Sequence, residues 1–85
     1  MITLKKKKKI NDKLLAKIKT LLEKEKIQGE FWVLEDQEIK NRYNIIIRAK
    51  NIKTTEKRIK KETELEKKLK SAIPSENFLV IINPA

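Results

Sequence analysis

Eighty-five residues make one small domain, a size at which the core often leans on a partner subunit. The chain has neither Cys nor His, which excludes disulfides, thiolate metal sites and the commonest general base, so catalysis is not expected. The net charge of +10 is uneven: residues 1–28 carry ten Lys against three acids, residues 29–50 four of each sign, and residues 51–85 eight basic against five acidic side chains. No apolar run is long enough to cross a bilayer or to act as a signal peptide, so a soluble cytoplasmic protein without cofactors is expected.

Lys5–Lys9 are five like charges in a row. Such a run repels itself, and residues 1–10 are expected to form a flexible lysine-rich segment ahead of a single domain over 11–85. Asn11 or Asp12 can cap a first helix over about 12–28. Leu14, Leu15, Ile18, Leu21, Leu22 and Ile27 recur at helical spacing, with Lys13, Lys17, Lys19, Lys24 and Lys26 behind them. The single glycine, Gly29, is placed to end that helix in a left-handed conformation.

Glu30–Asp36 is rich in aromatic and β-branched residues and reads as a strand, followed by a polar turn. In 42–50 the alternation is regular: Tyr43, Ile45, Ile47 and Ala49 share one face, and Asn44, Ile46, Arg48 and Lys50 the other. A second helix is predicted over 54–72, opened by Thr54 and stopped by Pro74, with Ile59, Leu65, Leu69, Ala72 and Ile73 as its apolar stripe. Glu56/Lys60, Glu64/Lys68 and Glu66/Lys70 lie four apart with the acid first, the favourable order for helix ion pairs. The last strand, 77–82, contains Phe78–Ile82 without alternation, which predicts burial on both faces. Strand, helix and strand over 41–84 make a parallel βαβ unit, expected to be right-handed. The predicted fold is therefore α+β: an α-β-β-α-β chain with two helices on one face of a three-stranded mixed sheet.

Two helices cover only one sheet face, and the other then carries apolar side chains. A homodimer is expected through Trp32, Leu34, Ile46, Leu79 and Ile81, the more so because the last strand's outer edge reads as free. The rival reading is a nucleic-acid or other polyanion-binding protein, KH-like or of the sheet-platform kind. Its electrostatic footprint would be Lys5, Lys6, Lys7, Lys8, Lys9, Arg42, Arg48 and Lys50, with Trp32, Phe31 or Tyr43 stacking on bases. A Gly-x-x-Gly loop is absent. Glu35, Asp36 and Glu38 could hold a hard cation at the hairpin. Glu62 and Glu66, near the sheet-facing side of the second helix, read as members of rim ion pairs.

The run Arg42-Tyr-Asn-Ile-Ile-Ile47, the helix start at Thr54–Thr55, Leu65–Pro74 and Phe78–Pro84 together resemble the C-terminal cytoplasmic domain of cation diffusion facilitator transporters. The similarity spans about residues 18–84. It implies an α-β-β-α-β, ferredoxin-like domain that dimerises. The histidine ligands of that family would fall near Ile47 and Asn83, so the resemblance does not carry the metal site, and the membrane-spanning part has no counterpart here.

Overall fold

The computed structural model describes residues 2–6 and 10–84. Its elements are β1 (Ile2–Lys6), α1 (Asp12–Lys24), β2 (Gly29–Glu35), β3 (Arg42–Ala49), α2 (Thr55–Ala72) and β4 (Asn77–Pro84). The class is α+β as expected, but the sheet has four strands, in the order β1-β2-β3-β4. β1 runs parallel to β2, β2 antiparallel to β3, and β3 parallel to β4.

Over Ile2–Lys6 the extra strand stands where a flexible segment is expected. Ile2 and Leu4 alternate with exposed Thr3 and Lys5; Ile2 is buried and Leu4 packs against the core. That is a period-two pattern, and the lysine run beside it masks it. Residues 7–9 of that run lie outside the described residues, and Ile10 is buried.

α1 starts where Asn11 Oδ1 accepts a hydrogen bond from the Lys13 N–H at 2.8 Å. Leu14, Leu15, Ile18 and Leu22 are its buried stripe. It ends earlier than predicted, and Gly29 is not its cap. Lys26 takes the left-handed position at φ 58°. The Lys26 N–H donates to Glu23 O at 2.9 Å and the Ile27 N–H to Leu22 O at 3.2 Å, the two bonds of a Schellman turn. Asn51 holds this turn from the far end of β3: its Nδ2 donates to Lys26 O and its Oδ1 accepts from the Gln28 N–H. Gly29 instead opens β2 at φ 136°, against the backbone of Arg48.

In the β2–β3 hairpin, Asp36 Oδ1 accepts from the Glu38 and Ile39 N–H groups at 2.8 and 2.9 Å, and Asn41 turns the chain at φ 61°. α2 begins at Thr54, whose hydroxyl accepts from the Lys57 N–H. Its buried stripe is narrower than predicted, Leu65 and Leu69, continued by Ile73 beyond the helix, whereas Ile59 is 58% exposed. Phe31, Val33, Ile45, Ile47, Val80 and Ile82 meet both helices in one core cluster. β4 is consequently buried on one face only: Val80 and Ile82 point inward, while Ile81 is 38% exposed.

The two crossovers differ in hand. Seen from the helix side with the strand running upward, an L residue whose side chain faces the viewer directs its N–H to the right. Val80 and Ile82 face the helices and direct their N–H groups away from β3, to side chains of α2. β4 therefore lies to the right of β3, and β3–α2–β4 has the expected right hand. β1 and β2 run the opposite way in the same left-to-right order, so β1–α1–β2 is left-handed. No strand is inserted between the parallel neighbours, so the arrangement is not the split βαβ of a ferredoxin-like fold.

Candidate functional site

The sheet face turned away from the helices is open. Trp32 stands beside Ile46 and Ile46 beside Ile81; one row further, Leu34, Asn44 and Leu79 are neighbours. All five residues expected at a self-association surface, Trp32, Leu34, Ile46, Leu79 and Ile81, thus share one face of three adjacent strands. Strand parity alone brings them together, since each is offset by one from a buried core residue. A polar row of Glu30, Arg48 and Asn83 borders them. Trp32, Leu34, Ile46, Arg48, Asn83 and Pro84 line a shallow depression of about 490 Å3.

The basic residues do not assemble in the same way. Lys5 is exposed on β1, and Lys6 pairs in register with Trp32. Lys7, Lys8 and Lys9 lie outside the described residues. Arg48 is exposed at one end of β3, and Lys50 is exposed just past it. Arg42 is at the other end of the strand, six residues and about 20 Å away. Its Nε lies 3.1 Å from Asp36 Oδ2, so its charge is offset within the hairpin. The aromatics divide likewise: Phe31 is fully buried, Tyr43 stacks at 6.2 Å on Phe78 beside the core, and only Trp32 faces outward.

Of the hairpin acids, Asp36 is committed to the turn, while Glu35 and Glu38 are exposed. The backbone N–H groups of Ile39 and Glu38, with Arg42 nearby, hold the Asp36 carboxyl below its ordinary range. Among the described residues no group of three acidic side chains is placed to hold a metal ion. Ile47, one of the positions aligned with the cation-facilitator ligands, is buried in the core; Asn83, the other, is exposed on the open face.

Three carboxylates carry contacts that spacing alone does not suggest. Glu25, past the end of α1, bonds Lys68 Nζ at 2.7 Å and Lys61 Nζ at 3.2 Å, joining the two helices. Lys68, with Lys61 and in spite of partial burial, pulls the Glu25 pKa down to about 2. Among the described residues Glu62 and Glu66 have no ion-pair partner. Glu66 Oε2 accepts the Val80 N–H at 2.9 Å and Glu62 Oε2 the Ile82 N–H at 2.7 Å. The outer edge of β4 is thus occupied rather than free. The sequence marks them only as a Glu pair four apart on the helix before a parallel strand, which does not name their partners.

Comparison with models of known protein families, with curated proteins and with solved structures returns no match to this chain. Among the described residues no helix is long and apolar enough to cross a membrane.

Proposed function

We propose that this chain is a non-catalytic interaction module that self-associates through the open sheet face, two copies meeting about a two-fold axis. The observation that carries this reading is the contrast in charge between the two sides of the sheet. Lys13, Lys17, Lys19 and Lys24 on α1 and Lys57, Lys60 and Lys67 on α2 are exposed on the helical side, where a second copy is repelled. The open face instead has an apolar centre and a border of both signs, Glu30 beside Arg48. Like surfaces can meet there without stacking like charges.

Size sets the strength. Four strands about 4.8 Å apart and about 20 Å long give a projected face of roughly 400 Å2 per copy. At roughly 800 Å2 for the two copies together, that is the range of weak, reversible interfaces, so a dimer with Kd in the micromolar range is expected. The resemblance to a cation-efflux C-terminal domain, a domain that dimerises, is in keeping with this reading. The spread of the basic residues gives a sheet-platform nucleic-acid site less support.

Trp32 is the only tryptophan and sits within the proposed interface, so its emission reports on association directly. Sedimentation equilibrium should show a monomer–dimer equilibrium, and the Trp32 emission should shift to the blue over the same concentrations. Leu79→Lys or Ile81→Lys should abolish both effects, whereas Lys17→Glu on the outer surface of α1 should leave dimerisation intact. A well-folded wild-type monomer at high micromolar concentration overturns the proposal.

A further inference from the structure

An edge strand exposes a row of N–H and C=O groups to any extended segment that can pair with it. In a parallel pair every second residue of β4 directs both groups outward, and these are Phe78, Val80, Ile82 and Pro84. The Val80 and Ile82 N–H groups are taken by Glu66 and Glu62, and Pro84 has none to offer. The fit is one of pitch. Four residues of helix rise about 6.0 Å and two residues of strand about 6.7 Å, so carboxylates at 62 and 66 fall over alternate strand amides. α2 runs antiparallel to β4, which pairs the earlier glutamate with the later amide.

We infer that Glu62 and Glu66 close this edge against strand addition by a second copy of the chain. Over residues 80–84 an arriving strand would meet only acceptors, the Val80 and Ile82 carbonyls and two carboxylates bearing negative charge; the Phe78 N–H, of the same parity, lies outside the span that the glutamates cover. The two glutamates are positioning residues. They leave the sheet face as the surface through which copies meet, and in that sense the inference rests on the proposed function. Their own task, closing the edge, can be tested whether or not the face dimerises.

The experiment compares the wild type, Glu62→Ala/Glu66→Ala and Glu62→Gln/Glu66→Gln, each alone and in a Leu79→Lys background. Amide hydrogen exchange is read at Val80 and Ile82, and association by sedimentation together with the infrared signature of intermolecular strands. In the alanine pair the Val80 and Ile82 amides should exchange about tenfold faster or more, and association with intermolecular strand signal should appear even with Leu79→Lys present. The glutamine pair keeps a side-chain carbonyl acceptor and should restore slow exchange and suppress edge association. Alanine variants that remain folded, with slow exchange at both amides and no new association, overturn the inference. If the alanine pair fails to fold, rapid exchange at both amides in the glutamine pair, without edge association, overturns it as well. A wild type that is monomeric counts against the face dimer alone, because the edge is read from the difference between variants.

Discussion

Replacing Gly29 by Ala tests how tightly the start of β2 is bound to the end of β3. Gly29 sits at φ 136°, a region that side-chain-bearing residues rarely enter. A Cβ built there would lie 2.0 Å from the Arg48 carbonyl oxygen and 3.1 Å from its carbon. Both obstacles are backbone of the neighbouring strand, so no rotamer change relieves them. The dihedral contributes about 1–3 kcal/mol and the forced strand displacement about 1–3 kcal/mol more. Their combined cost, about 2–6 kcal/mol, is a large part of the roughly 4–13 kcal/mol expected for a domain of this length. At about 4–8 °C per kcal/mol, Tm should fall by at least 8 °C, measured by circular dichroism at 222 nm, about the usual helix wavelength, and by Trp32 emission. A Tm within about 2 °C of wild type would refute the reasoning, since it would mean that residues 28–30 relax freely and that the close approach to Arg48 is not fixed by the fold.

Two further outcomes follow from the junctions around α1. Lys26 holds a left-handed conformation that costs an L side chain about 1 kcal/mol, partly offset by the greater unfolded-state freedom of glycine, so Lys26→Gly should raise Tm by a few degrees; an unchanged or lower Tm would show that the Lys26 side chain contributes more than its backbone strain. Glu25 has its pKa depressed from 4.5 to about 2, so its stabilising contribution is fully present above about pH 4.5 and is lost as pH falls through about 2, and Asp36 is shifted in the same direction. Urea unfolding as a function of pH should therefore show stability declining below about pH 4.5, with a shallower decline in Lys68→Met; an identical acid slope in that variant would remove Lys68 as the cause.

The parts of this fold that were legible are those where one local signal stands alone. Thr54 and Pro74 bracket α2, and the even–odd alternation of β3 assigns Ile46 and Arg48 to the outer face without help from tertiary structure. That Trp32, Leu34, Ile46, Leu79 and Ile81 share one face follows from the same parity carried across three strands. β1 was hidden because Ile2 and Leu4 offer only two apolar positions beside a charge run, and it is pairing with β2 that makes them a strand. Gly29 misled for a different reason: glycine after a helix suggests a cap, yet Lys26 accepts the strained position and leaves the glycine for a backbone contact between strands. Uninterrupted Phe78–Ile82 suggested two buried faces, but composition does not say how many layers exist to bury them. The partners of Glu62 and Glu66 are main-chain atoms, which are the same at every position and leave no trace in side-chain chemistry.

The opposed hands of the two crossovers have a kinetic consequence. Because both units step the same way along the sheet, each strand lies next to its neighbour in sequence, and no pairing has to wait for a distant segment. Short sequence separation lowers the entropy of closing each contact, so folding should be fast for a mixed α/β chain. The right-handed unit follows the usual coupling of strand twist and helix return, which favours β3, α2 and β4 as the nucleus. The left-handed return through α1 goes against that coupling, and β1 is then the last strand to join and the first to leave.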